Sequence, residues 1–122
     1  MIEGRTLAIL LIEDETMIRM MVADMVEELG HHVAAEAGNF DEAMALAESA
    51  AYDFAIIDMN LNGKMSIPIA EVIKARHIPF IFASGYAFPK VGEQNPPPLA
   101  LQKPFTIDRL EAAIDETMQA RS

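Results

Sequence analysis

The chain has 122 residues, 52% of them hydrophobic and 23% charged, with a net charge of −10 and no cysteine. One globular domain around a single core fits that length and balance. Disulfides, thiolate nucleophiles and cysteine metal sites are excluded; so acidic a surface disfavours nucleic acid and suits basic partners or divalent cations; and the longest apolar run, Leu7 to Ile12, is far too short to span a bilayer.

Ile2-Glu3-Gly4-Arg5 matches a protease recognition sequence used in engineered expression leaders, so residues 1–5 are set aside from the fold; a native N-terminus is the alternative. No secretory signal is visible, and the cytoplasm is the default location. "TLAILLIED" is a continuous apolar run ending in acids, the pattern of a strand buried on both faces. Met17, Ile18, Met21, Val22, Met25, Val26 and Leu29 then recur at helical spacing, with Gly30 as a stop. "HHVAAEA" is a short strand. Asn39 and Glu42 resemble a capping box opening a helix through Phe40, Ala43, Met44 and Ala47. "YDFAIID" is another buried strand. "MNLNGKMS" reads as a loop leading to a helix near Pro68 to Ala75, where proline is tolerated in the first turn. "IPFIFAS" and the short "LALQ" complete the strands, and Thr106 caps a last helix carrying Ile107, Leu110, Ile114 and Met118. The nine methionines mostly follow the helical stripes and read as core. His31, His32 and His77 fall in predicted turns, where no metal or catalytic role is expected.

Strand and helix alternate along the chain, which implies parallel strands, right-handed crossovers and helices on both sheet faces. The expected fold class is α/β: a flavodoxin-like five-stranded parallel sheet of order 2-1-3-4-5. Residues 6–122 form one domain. Residues 85–98, "GYAFPKVGEQNPPP", break the pattern with four prolines, so the fourth helix is expected to be short or missing.

In such sheets function collects beyond the carboxyl ends of the strands. The first strand ends in Glu13-Asp14, the third in Asp58, the fourth in Ser84 and the fifth in Lys103. Taken singly, each has a bland reading: a solvated helix start, a strand-end acid, a turn serine, a surface lysine. Together they place three carboxylates, a hydroxyl and an ammonium on one edge. Clustered carboxylates persist when something positive compensates. Lys103 supplies one charge, and Mg²⁺, which favours few carboxylates plus water and phosphate, supplies the rest. Asp58 is placed to attack phosphorus. Lys103 and Ser84 can hold phosphoryl oxygens, and Gly85 keeps the approach open and lets the backbone turn sharply.

With "ED" at 13–14, "D" at 58, "S" at 84 and "KPF" at 103–105, the chain resembles a response-regulator receiver domain of two-component phosphorelays over roughly residues 6 to 119. The resemblance implies that Asp58 is the phosphoacceptor and that Glu13, Asp14, Asp58 and the Asn60 backbone carbonyl bind Mg²⁺. It implies that Ser84 and Lys103 contact the phosphoryl group, that Lys103–Pro104 is cis, and that the donor is a phosphohistidine on a histidine kinase or phosphotransfer protein. Two departures stand out. The usual switch aromatic, three residues before the lysine, is Ala100, and the fourth helix is degraded. "PFIFASGY" is similar to the signature of a receiver subgroup nicknamed FAT GUY, in which the aromatic follows the fourth strand. Tyr86 is the expected switch residue on that basis; otherwise it caps the core edge. The resemblance implies a stand-alone receiver signalling to a downstream protein partner, with neither nucleic acid nor membrane, and a phosphoacceptor rather than an enzyme.

Three other functions compete. An aspartyl-phosphate hydrolase calls for a second acid two residues after Asp58, where Asn60 stands. A flavodoxin calls for a hydroxyl- and glycine-rich loop after the first strand, where "EDETM" repels phosphate. A receiver-like module that binds protein without being phosphorylated is the main alternative.

Overall fold

A computed structural model of the chain describes residues 6–85 and 99–120. The suspected leader at residues 1–5, the fourth helix expected to be short or missing, and the expected switch residue Tyr86 fall outside the described residues.

The first apolar run forms β1 (Ala8–Ile12), followed by α1 (Thr16–Glu28) and β2 (His32–Ala37). Gly30 takes φ +91 just past α1, the left-handed conformation that glycine adopts at a helix end without steric cost. Next come α2 (Phe40–Ser49) and β3 (Phe54–Asp58). Asn39 caps α2 as expected: its Oδ1 accepts from the Glu42 N–H at 2.8 Å. The reciprocal arm lands one residue early, the Gly38 N–H donating to Glu42 Oε1 at 2.8 Å. "MNLNGKMS" is not plain loop. It contains two short antiparallel strands, β4 (Asn60–Leu61) and β5 (Lys64–Met65), joined by Asn62-Gly63. Helix α3 (Ile67–Ala75), with Pro68 in its first turn, leads to β6 (Phe80–Ser84). Strand β7 (Leu99–Gln102) and helix α4 (Ile107–Ala120) follow. Thr106 Oγ1 accepts from the Arg109 N–H at 3.2 Å, as a cap should.

The main sheet has the order β2-β1-β3-β6-β7 with every pair parallel, so β6 and β7 are the expected fourth and fifth strands. Because side chains alternate along a strand, the central strands feed two cores. Leu10, Ile12, Ala55 and Ile57 pack toward α2 and α3 with Ile69 and Ile73. Ile9, Leu11, Phe54 and Ile56 pack toward α1 and α4 with Val22, Val26, Leu110 and Ile114. That double burial explains why the first, third and fourth strands carry no polar alternation.

Two expectations need correction. His32 opens β2 rather than lying in a turn. The methionines are not mostly core: Met17, Met20 and Met21 are 82%, 61% and 51% exposed. Helix α1 carries two stripes. Ile18, Val22, Met25, Val26 and Leu29 meet the sheet, whereas Met17, Met20 and Met21, spaced three and four apart, share the outer face.

Candidate functional site at the carboxyl edge of the sheet

Parallel register carries the strand ends to one edge. Ile12 pairs with Ile57, Asp58 with Ala83, and Ser84 with Gln102, so positions 13, 58, 84 and 103 follow one another across four strands. The ladders run past the strand ends: Glu13 N–H donates to Ala37 O at 3.0 Å, Met59 N–H to Ala83 O at 2.8 Å and Lys103 N–H to Ser84 O at 2.7 Å. All the expected edge residues within the described chain therefore converge.

Glu13 is only 3% exposed, yet both its oxygens are engaged. Lys103 Nζ donates to Oε1 at 2.9 Å and the Glu15 N–H to Oε2 at 3.1 Å. Asp58, 6% exposed, closes β3. Its Oδ1 accepts from the Asn60 N–H at 3.2 Å, and its Oδ2 lies 3.4 Å from Lys103 Nζ. Asp14 is less buried and accepts the Asn62 N–H on Oδ2 at 3.1 Å. Glu13, Asp14 and Asp58 each bring an oxygen within 4.8 Å of the others. Ser84 is buried at the end of β6. Beside it, a Cβ added at Gly85 would meet nothing within 4 Å, so the approach is open. Gly85 lies at a bend and does not use positive φ. The Lys103–Pro104 bond is cis, as the resemblance implied.

The charges are unevenly compensated. Burial, then repulsion from Glu13, pushes the Asp58 carboxyl up to about 7, against the pull of the Asn60 N–H and Lys103. Burial also acts to raise Asp14, but hydrogen bonds from the Asp58 carboxyl and the Asn62 N–H outweigh it, and Asp14 titrates below its ordinary value. The more enclosed acid thus holds the proton the two share. For Lys103, burial favours the neutral amine, but Glu13 and Asp58 overcome it and raise its pKa. Three oxygen donors with one ammonium among them fit a hard divalent cation, which would replace the proton on Asp58.

A cleft of about 510 Å³ opens from Asp58, Ser84 and Lys103 and runs along α1 past Ile18 and Met21. The residue missed from sequence is Arg19. Its Nη1 donates to the Glu13 carbonyl at 2.7 Å and its Nε to Glu36 Oε1 at 3.2 Å, bracing the turn that presents both acids. Gly38 makes room for it, since a Cβ there would come within 2.7 Å of Nη1. No local signal marks this arginine; its partners come from the residue just past β1 and from β2. The histidines stay outside the site: the Leu7 N–H donates to His31 Nδ1 at 3.1 Å, a structural tie at the far edge of the sheet.

Fold and site define a doubly wound α/β domain with a carboxylate–lysine cluster at its carboxyl edge. The family model described as "Response regulator receiver domain" matches residues 9–115, and the chain belongs to that family. It is 33% identical over 111 residues to the transcriptional regulatory protein PdtaR of Mycobacterium tuberculosis, covering 88% of this chain and 54% of that one. The chain spans about half the length of the curated relatives it matches most fully. Among solved structures, the response regulator PhyR from Brucella abortus superposes with a TM-score of 0.80 at 34% identity, over 94% of this chain and 49% of that one. SdrG from Sphingomonas melonis superposes with a TM-score of 0.77 at 34% identity, over 93% of this chain and 97% of that one. Among the described residues no helix is long and apolar enough to cross a membrane.

Proposed function

We propose that this receiver domain is a single-domain response regulator that takes a phosphoryl group on Asp58. One observation carries the chemistry: Asp58 is buried, 3.4 Å from Lys103 Nζ, and shares a cation-sized cluster with Glu13 and Asp14 beside an open cleft. In the transfer, an Asp58 carboxylate oxygen forms the new O–P bond as the N–P bond of a phosphohistidine breaks. The electron pair leaves on the imidazole nitrogen. Mg²⁺ held by Glu13, Asp14, Asp58 and the Asn60 carbonyl would neutralise charge on the phosphoryl oxygens. Lys103 turns from its tight pair with Glu13 toward the arriving oxygens, and Ser84 donates to another. Asp58 is regenerated only by hydrolysis or onward transfer, so the protein is a phosphoacceptor rather than an enzyme with its own substrate.

The donor is a histidine kinase or histidine phosphotransfer protein. Its docking surface is the outer face of α1, where Met17, Met20 and Met21 are exposed and the cleft runs past Met21 to Asp58. Thioether side chains adapt to a partner's surface without a desolvation penalty. Output goes to a downstream protein partner, with Tyr86 as the proposed switch. Location in the cytoplasm belongs to the same proposal.

Intact mass after incubation with Mg²⁺ and a small acyl phosphate tests this. One phosphoryl group is expected on the wild type and none on Asp58→Asn. No gain, or a gain that Asp58→Asn retains, would leave the alternative of an unphosphorylated binding module.

A further inference from the structure

The three acids are not held alike. Glu13 is fixed by Lys103 and by the Glu15 amide, and Asp58 by its own central strand. Asp14 lies past the end of β1, is the least buried of the three, and takes its main-chain donor from a segment 48 residues away. That donor is the amide of Asn62, at the tip of hairpin β4–β5.

The hairpin is built to hold this amide in place. Asn62 and Gly63 have φ of 51° and 90°, the pair of positive values that a tight primed turn requires and that Asn-Gly supplies most readily. Asn60 Oδ1 accepts from the Gly63 N–H at 2.8 Å and closes the turn. Leu61 is buried in the core, the Ser66 N–H donates to Met59 O at 2.9 Å, and the Lys64 ammonium sits 5.0 Å from the centre of the Phe40 ring. From this anchored base two amides reach across the site, Asn60 N–H to Asp58 Oδ1 and Asn62 N–H to Asp14 Oδ2. One hairpin thereby bridges the acids at the ends of two different strands.

We propose that hairpin β4–β5 is a positioning element for the cation site: the Asn62 amide, held by the Asn60 carboxamide and the Asn62-Gly63 turn, fixes Asp14 against Asp58. This rests on the reading of the acids as a divalent-cation site. Mg²⁺ affinity then depends on the conformation of a turn whose side chains do not touch the ion. Outer partners of metal ligands typically carry about 10-fold to 100-fold in affinity.

The test uses Mg²⁺ itself, by calorimetric titration and ¹⁵N–¹H spectra of the full chain. Asn62 is exposed, so it can be exchanged without disturbing the core. Asn62→Gly keeps the amide and tolerates positive φ, and should bind within about twofold of wild type. Asn62→Val strains the turn and should bind about tenfold more weakly. Asn60→Ala removes the Gly63 acceptor while leaving the Asn60 carbonyl, and should also bind several-fold more weakly; it carries the test if Asn62→Val does not fold. Asp14→Asn, without metal, should shift the amide resonance of residue 62. The proposal is overturned if folded Asn62→Val and Asn60→Ala bind Mg²⁺ like wild type, or if the residue-62 amide ignores Asp14→Asn. Should wild type take up no Mg²⁺, the cation reading fails, and the metal-free Asp14→Asn shift still decides the hairpin contact.

Discussion

Replacing Asp58 with asparagine should make the metal-free protein more stable, and only above mildly acidic pH. The Asp58 carboxyl rises from its ordinary 3.8 to about 7 because burial and Glu13 oppose its charge. A raised carboxyl pKa means that the native state binds the proton more tightly than the unfolded chain. The stabilisation from that proton is complete below about pH 4 and is lost as pH climbs to about 7. At 1.36 kcal/mol per unit the full loss is about 4 kcal/mol. Asparagine keeps the shape but weakens the hydrogen bond from Asn60 and the contact with Lys103, so about half should survive, about 2 kcal/mol. With an unfolding entropy of roughly 2 cal/mol/K per residue, that gives a Tm increase of about 8 °C at pH 8. Thermal melts by circular dichroism, with a chelator present, would follow both proteins from about pH 4 to pH 9. The curves should meet at the acid end and separate through pH 7. Repulsion across the remaining acidic surface is common to both and cancels. Parallel curves across the whole range would refute the reasoning, because Asp58 would then carry no buried-charge penalty.

Lys103→Met removes the ammonium between Glu13 and Asp58 and leaves the acids facing one another. It should cost about 3 kcal/mol in urea unfolding at pH 8, and Mg²⁺ should restore part of that. Ser66 is fully buried with no hydrogen-bond partner for its hydroxyl among the described residues, so Ser66→Ala should be neutral or stabilising by up to about 1 kcal/mol in the same assay. Asn39→Ala removes the α2 cap and should cost about 1 kcal/mol. Exchanging Met17, Met20 and Met21 together for serine should slow transfer from a phosphorylated histidine phosphotransfer protein while leaving labelling by a small acyl phosphate unchanged; equal slowing of both would remove the docking role of α1.

The sheet could be read from sequence because its central strands are buried on both faces, and double burial writes itself as unbroken apolar runs. The edge residues followed from that, since parallel strands leave one place for Glu13, Asp14, Asp58, Ser84 and Lys103 to meet. Hairpin β4–β5 was concealed by brevity: two-residue strands show no alternation, and Asn62-Gly63 was the one signal present. The methionines of α1 misled because periodicity reports that residues share a face, not which face meets the sheet. Arg19 left no trace, since its worth lies in a carbonyl and a carboxylate contributed by other elements.

The ion pair of Lys103 with Glu13 joins residues 90 positions apart. A chain still emerging from the ribosome can pair its first three sheet strands while Lys103 is unmade or enclosed in the exit tunnel. During that interval Asp58 faces Glu13 and Asp14 with no ammonium to balance them. The site proposed for phosphoryl transfer is therefore completed only when the last strand joins the sheet.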